Sequence, residues 1–247
     1  RFADAVDSYR QDIKFAKKDN PDRIQSYKFD LAQSLYNAKD LDGAEKVYFD
    51  MLKDDPGDGG AMVGLARNIL DQNKYEEGLE WLRKAESYNA SYAEIYRFKM
   101  QILDKLGKTD ESVDAALKYF DLNDDAPAWL VAEYAGKHYT YGVAKVKAEM
   151  NKDDASDRWI VLLTRLYEDH SDYVKALELY DKVEKEYGEY KMIAYYKSNC
   201  YSELGQFNMA IKEATRAIDL DGSKALYGHR GDIYRSAGMY DKAIADY

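Results

Sequence analysis

Residues 227–247 read YGHRGDIYRSAGMYDKAIADY, and the spacing of small and aromatic side chains in this stretch decides the fold class. Those side chains belong to Tyr227, Gly231, Tyr234, Ala243 and Tyr247. Residues three or four positions apart lie on the same face of a helix. The stretch therefore predicts two helices that approach closely where the small residues lie.

The same spacing recurs along the chain. Small residues return at Ala5, Ala44, Gly78, Ser112, Ala144, Ala176, Ala210 and Ala243, with spacings of 39, 34, 34, 32, 32, 34 and 33. A pair of helices of about a dozen residues cannot bury its apolar stripe alone, whereas stacked pairs share one core. A period near 34 residues therefore predicts an array of helix pairs.

This pattern resembles the tetratricopeptide repeat (TPR) family over nearly the whole chain. The last repeat departs from it only at Arg230, where the family has Leu. The first complete repeat matches at Leu31, Ala32, Leu35, Ala44, Tyr48 and Pro56. The resemblance implies an all-α, right-handed superhelical solenoid of antiparallel helix pairs, in which the first helix of each pair lines a concave groove.

We expect a single solenoid over residues 1–247. Complete repeats are predicted at 25–58, 59–92, 93–126, 157–190 and 191–223, a degenerate one at 127–156, and partial ones at 1–24 and 224–247. Turns within the pairs are predicted at 37–40, 72–74, 106–108 and 204–206. The partial repeats lead us to expect that the natural protein extends beyond both ends.

Charge and composition restrict the partners. The net charge of −10 repels phosphate backbones, which predicts that nucleic acid is not a partner, and it attracts basic peptides or proteins. No apolar run approaches the roughly 18 residues that a membrane-spanning helix needs. The sequence therefore predicts no membrane-spanning segment, and it leaves the compartment open between the cytoplasm and an exported location.

Residues that carry catalysis or bind metals do not form a recognisable motif. His138, His170 and His229 have no ligand at metal-binding spacing, and Cys200 lies among apolar positions of a predicted helix. The run 54–60, DDPGDGG, has glycines but lacks the Lys and Ser or Thr of a phosphate loop. We therefore predict neither a metal, nor a cofactor, nor an enzymatic activity.

The TPR resemblance also predicts where a partner binds. The exposed stripe of the first helices would comprise Phe29, Gln33, Tyr36, Arg67, Arg97, Gln101, Trp129, Arg165, Tyr195 and Asn199. Aromatic and Arg side chains supply much of the energy in protein interfaces, and Arg binds carboxylates in a two-pronged geometry. We expect a scaffold or adaptor that binds a protein or peptide, either a basic one or one with a free carboxylate.

Two alternatives stay open at the level of sequence. The partial end repeats are compatible with a regulatory region of a larger enzyme. Some glycan-binding proteins of the SusD-like type place TPR hairpins beneath long loops that carry aromatic platforms, although no such loop is evident here.

Overall fold

The structure is a computed structural model that describes residues 2–19, 23–152 and 156–247. Within these ranges the chain forms fifteen α-helices and no strand, which confirms the predicted all-α class. Residues 20–22 of the first partial repeat and 153–155 of the degenerate repeat lie outside the described ranges. The helices are α1 (Phe2–Asp19), α2 (Ile24–Asn37), α3 (Leu41–Asp54), α4 (Gly59–Asp71), α5 (Tyr75–Tyr88), α6 (Ala93–Lys105), α7 (Thr109–Leu122), α8 (Ala128–Gly136), α9 (Tyr139–Met150), α10 (Arg158–Asp169), α11 (Tyr173–Tyr187), α12 (Lys191–Glu203), α13 (Phe207–Asp221), α14 (Lys224–Ser236) and α15 (Tyr240–Asp246).

The helices gather into two compact units. The N-terminal unit holds residues 1–138 and the C-terminal unit residues 139–247. In the N-terminal unit α2 pairs with α3, α4 with α5 and α6 with α7; in the C-terminal unit α10 pairs with α11, α12 with α13 and α14 with α15. The predicted degenerate repeat contains the last helix of one unit and the first of the other, and the repeat limits stay predictions.

The turn inside each pair depends on one residue with a left-handed backbone. Positive φ angles occur at Lys39, Asn73, Gly107, Ser171, Gly205 and Gly238. Each of them lies two residues after the last residue of a first helix, and four lie in the turns predicted from the sequence. Glycine adopts this conformation without the steric cost that a Cβ imposes. The array thus repeats its turn geometry even where the turn residue changes.

Most of the predicted small positions face the core. Ala44, Gly78, Ser112, Ala176, Ala210 and Ala243 are all buried. Ala144 is the exception, because it is exposed while Gly142 and Val146 of α9 are buried. The prediction for Ala144 was therefore wrong by two positions. Gly142 and Val146 are four residues apart, so they form the inward face of α9 and turn Ala144 towards solvent.

One buried ring joins the first complete helix pair to the second. Tyr48 of α3 is fully buried, and its hydroxyl accepts a hydrogen bond from Gln33 of α2 at 2.7 Å. On its other side the ring lies against Gly64 of α4, where an added Cβ would come within 2.6 Å of ring atoms Cε1 and Cζ. A full-sized aromatic ring therefore fits here only because its neighbour has no side chain.

The two helices of one pair also approach closely where one of them has a small residue. Ala32 of α2 and Ala66 of α4 are completely buried. Gly231 of α14 faces Tyr247, and a Cβ on this glycine would lie 2.8 Å from the Tyr247 Cε1 atom. The small residues thus set the distance between helices, as the sequence pattern predicted.

Ion pairs add a second link between successive helix pairs. Lys99 of α6 donates to Glu86 of α5 at 2.6 Å, and Lys197 of α12 donates to Glu184 of α11 at 2.8 Å. Both bonds join residues 13 positions apart. Burial alone would lower the pKa of Lys197, but its bonds to Asp181 and Glu184 outweigh that effect and raise it. Lys197 therefore stays charged where it is buried.

Replacing Gly64 with Ala should destabilise the N-terminal unit by about 1–3 kcal/mol, because the Tyr48 ring has no room to retreat. Gly228→Ala in α14 is the matched control, since an added Cβ there meets nothing within 4 Å. The control should be neutral or stabilising by up to about 1 kcal/mol. Urea unfolding followed by circular dichroism measures both changes; equal effects of the two substitutions would contradict this packing.

Replacing Ser171 with Gly should stabilise the C-terminal unit by about 0.5–1 kcal/mol, because it removes the cost of a left-handed serine. The reciprocal change Gly205→Ala has open space for its Cβ, and it should destabilise by about 1–2 kcal/mol through backbone strain alone. Thermal melting of both variants checks the pair, and a lower melting temperature for Ser171→Gly would refute the role given to this turn.

Candidate functional site

The candidate binding surface is built from the first helix of each pair, and we call it the first-helix face. In the N-terminal unit it is formed by α2, α4, α6 and α8, of which α2, α4 and α6 contact one another in order. In the C-terminal unit it is formed by α10, α12 and α14. All ten residues predicted from the sequence lie on these helices, seven in the first unit and three in the second.

Four of the predicted residues form one connected cluster in the N-terminal unit. Arg67 donates to the Gln33 side-chain oxygen, and its guanidinium lies 4.0 Å from the centroid of the Tyr36 ring. The Tyr36 hydroxyl donates to Asp71 at 2.7 Å. Phe29 meets the Tyr48 ring edge to face, with the centroids 6.2 Å apart. The cluster is a rigid, half-buried platform rather than a row of independent side chains.

Burial shifts the titration of the tyrosines in this cluster. It raises the pKa of Tyr48 to about 12, although Arg67 opposes the shift. Burial and the bond to Asp71 likewise raise the pKa of Tyr36. Both hydroxyls therefore stay protonated at neutral pH and act as hydrogen-bond donors or acceptors of fixed position.

The other three predicted residues of this unit differ in how exposed their side chains are and in whether they already have partners within the protein. Arg97 is held by Glu94, with its Nε atom 2.8 Å from a carboxylate oxygen, and its guanidinium lies 4.2 Å from the Phe98 ring centroid. Gln101 is half-buried. Trp129 on α8 is 60% exposed and is the largest apolar side chain that this face presents to solvent among the described residues.

The predicted residues of the C-terminal unit are likewise engaged within the protein. Arg165 donates from Nε to Asp169 at 3.0 Å. Tyr195 packs against Tyr196 and His229, with ring centroids 5.5 and 4.3 Å apart. Asn199 is half-buried. Arg165 and Arg97 thus each have a carboxylate partner, which reduces what they offer to a carboxylate of a ligand.

A cavity that the sequence did not reveal opens on the first-helix face between α10 and α12. Its volume is about 270 Å³, and α11 closes its base. Val161, Met192 and Tyr196 line it and are 60%, 46% and 37% exposed. The outward-facing Val161 and Met192 on predicted first helices were a signal in the sequence, since apolar side chains at solvent-facing helix positions mark contact surfaces.

The base of this cavity carries a carboxylate. Glu168 accepts a hydrogen bond from the Tyr180 hydroxyl at 2.9 Å, and the Cys200 sulfur lies 3.7 Å from the same oxygen, Oε1. Burial raises the pKa of Glu168, while the bond from Tyr180 and the charge of Arg165 oppose the shift. The site therefore holds an acidic group that is poorly solvated.

A serine and a histidine meet in the C-terminal unit. The Ser198 Oγ atom lies 2.7 Å from His229 Nε2, and it also donates to the Tyr195 carbonyl at 2.6 Å. Because the serine hydrogen is used on the carbonyl, His229 must be the donor of the shared bond. A nucleophilic serine needs the opposite direction of proton transfer. The pair therefore joins α12 to α14 and has no geometry of an activated nucleophile.

The single cysteine, the potential metal ligands and the apolar helices were the other features that could indicate a function. Burial raises the pKa of the Cys200 thiol to about 12, so the thiolate that cysteine chemistry requires is scarce at neutral pH. Within the described ranges, no group of three or more His, Cys, Asp or Glu side chains is placed to hold a metal ion. None of the helices described is long and apolar enough to cross a membrane.

The helix pairs, their small-residue contacts and the first-helix face together define a helical repeat protein. Two family models described as tetratricopeptide repeat match the chain, one over residues 29–94 and the other over 193–224 and 225–247. The chain is a tetratricopeptide repeat protein, as its repeats predicted. No curated protein matched the chain.

Several solved structures resemble the chain. A tetratricopeptide repeat protein from Parabacteroides merdae ATCC 43184 is 14% identical, with 90% of each chain covered and a TM-score of 0.46. MamA is 19% identical, with 83% of this chain and 96% of its own covered and a TM-score of 0.43. The complex of the TPR2AB domain of yeast Sti1 with pHSP90 is 16% identical, with 90% and 88% covered and a TM-score of 0.42. Similarity at this level assigns neither a partner nor an activity to this chain.

The stability of the C-terminal unit should fall as the pH drops below about 6.5, the ordinary pKa of histidine. Burial lowers the pKa of His229, and Asp232 only partly opposes this. Between the lowered pKa and pH 6.5 the unfolded chain binds a proton at this histidine, whereas the folded chain does not. The stability that neutral His229 contributes is therefore complete above pH 6.5 and is lost as the pH falls towards the lowered pKa.

Two variants test this pH dependence. His229→Gln keeps an N–H donor for Ser198, and His138→Gln in the N-terminal unit is the control. Unfolding midpoints in urea at pH 7.5 and 5.5 should differ less for His229→Gln than for the unchanged protein. His138→Gln should leave the difference in the C-terminal unit as it was. An unchanged pH difference in His229→Gln would show that His229 is not its source.

Proposed function

We propose that this protein is a non-catalytic scaffold in which the first-helix face of each unit, taken by itself, binds a basic peptide or a basic segment of a partner protein. The observation that supports this most directly is the exposed apolar surface on the first helices. Trp129, Val161 and Met192 are each nearly half exposed or more, although all three lie within well-packed helices. Apolar side chains held in this way on a rigid frame are typical of protein-binding surfaces.

The charges around this surface favour a basic partner over one that is recognised by a free carboxylate. Two of the three predicted arginines, Arg97 and Arg165, are already bound by Glu94 and Asp169. The third, Arg67, donates to Gln33 and lies over the Tyr36 ring. A carboxylate ligand would have to displace these internal partners. A basic ligand gains from the net charge of −10 without breaking an existing ion pair.

Glycan binding has less support. The SusD-like alternative requires aromatic platforms on long loops, whereas Trp129 lies on α8 and Tyr196 on α12. Tyr196 also stacks on Tyr180, with centroids 5.9 Å apart and the rings within 7° of parallel, so one of its faces is already covered. A regulatory role beside an enzyme is compatible with the scaffold proposal, because it too works through a bound partner.

A random peptide library displayed on phage and selected on this chain should yield binders enriched in Lys and Arg. Trp129→Ala should weaken a peptide that binds the N-terminal unit, and Val161→Asp one that binds the C-terminal unit, each at least about tenfold, the effect of losing one hot-spot side chain. Each variant has a control of equal exposure on a second helix. Tyr88→Ala on α5 matches Trp129→Ala, since Tyr88 is 61% exposed, and Val174→Asp on α11 matches Val161→Asp, since Val174 is 58% exposed.

Fluorescence anisotropy with labelled peptides measures these affinities. The controls should bind as the unchanged protein does. If every selected peptide were weakened by the second-helix variants and by neither first-helix variant, the first-helix face would not be the binding surface.

A further inference from the structure

The cavity between α10 and α12 has apolar walls and room for one long side chain. Ile160 and Val161 of α10, Val183 of α11, and Met192 and Ile193 of α12 line it, and its volume is about 270 Å³. Pockets for drug-sized ligands begin at about 300 Å³. The cavity is therefore sized for part of a partner, such as a single side chain, and its walls suit an aliphatic stem.

Two hydroxyls that line this cavity have already donated their hydrogen and can still accept a hydrogen bond. The Tyr180 hydroxyl donates to Glu168 Oε1, and the Thr164 hydroxyl donates to the Ile160 carbonyl at 2.7 Å. Both hydroxyls keep a lone pair. Glu168 uses Oε1 for both of its hydrogen bonds, and Oε2 has no hydrogen-bond partner among the described residues. Glu168, Tyr180 and Thr164 therefore offer acceptors to a ligand that donates hydrogen bonds.

The carboxylate of Glu168 favours a donor that is a cation. Glu168 is poorly solvated, and burial raises its pKa. A cation bound beside this carboxylate would favour its ionised form and replace the lost hydration. Arg165 is the cationic side chain that lines the cavity, and it pairs with Asp169 at 3.0 Å. Arg165 uses its Nε hydrogen on Asp169, and its charge favours the ionised form of Glu168. It donates no hydrogen bond to Glu168 among the described residues.

We propose that this cavity receives one lysine side chain of the bound partner, with its ammonium on Glu168 and its aliphatic stem between Val161 and Met192. An ammonium has three donors, and the cavity offers three acceptor groups in Glu168, Tyr180 and Thr164. An arginine would bring five donors into the same space and leave some of them without partners. This inference rests on the proposed function, because it names the chemical group by which a basic partner is held.

The first test uses n-butylammonium, which reproduces the lysine side chain, and 1-pentanol, a neutral probe of similar length. The protein carries ¹³C-labelled methionine methyl groups, and the Met192 signal is followed by NMR during titration. We expect n-butylammonium to shift the Met192 signal at a concentration at least tenfold lower than 1-pentanol does. Equal responses to the two probes in the unchanged protein would overturn the proposal.

Glu168→Gln keeps the size of the side chain and removes the charge. This variant should lose the preference for n-butylammonium over 1-pentanol, while Glu178→Gln on the same unit should retain it. Circular dichroism verifies that both variants are folded. A full preference in Glu168→Gln would overturn the proposal, and if that variant is unfolded, the comparison of the two probes in the unchanged protein decides.

The second test uses the peptides selected on the chain and separates this inference from the scaffold proposal. Replacing the critical lysine of a peptide bound to the C-terminal unit with norleucine should weaken binding at least tenfold, and Glu168→Gln should abolish the difference between the two peptides. If Val161→Asp prevents binding but no lysine replacement matters, the scaffold proposal stands and the lysine pocket fails. If n-butylammonium binds through Glu168 but no peptide does, the pocket stands and the scaffold proposal fails.

Discussion

The contact on which the rest of the structure depends is that between a large ring of one helix pair and the bare backbone of the next. Tyr48 illustrates it, because its ring is completely buried against Gly64 and its hydroxyl is satisfied by Gln33. No helix pair of this length buries its apolar stripe without a neighbour, so each pair is stable only as part of the stack. The size of one side chain and the absence of another set the distance between pairs.

Because the helix pairs pack through their other faces, apolar side chains stay exposed on the first-helix face of each unit. The core uses the stripe that faces the neighbouring pair, and the ion pairs of Lys99 and Lys197 link successive pairs. Trp129 and Val161 are therefore presented on helices that are already fixed. A rigid surface loses little conformational entropy when a partner binds, which is why such faces bind extended segments well.

Much of the fold was readable from the sequence because the repeat contains it many times. Four turns and most small positions were predicted, since each depends on spacing along one or two adjacent helices. Ala144 was misplaced because α9 keeps its apolar spacing but shifts it by two residues, with Gly142 and Val146 facing the core. A period averaged over the chain does not detect a local shift of this kind.

The candidate binding site was only partly predictable. The carboxylate partners of Arg97 and Arg165 lie three and four residues away, a spacing that the sequence shows and that favours pairing on a helix. The cavity around Glu168 is different, because its walls come from three helices and its size depends on the gap between α10 and α12. That gap is a result of packing between pairs and leaves no signal in the spacing of residues.

The identical 13-residue offset of the bonds Lys99–Glu86 and Lys197–Glu184 has an evolutionary consequence. Each bond crosses from the second helix of one pair to the first helix of the next, so the same junction recurs in both units. Duplication or loss of one complete period would bring matching junction residues together and leave the neighbouring contacts intact. Gene duplication can therefore change the length of the array in whole repeats without altering this junction.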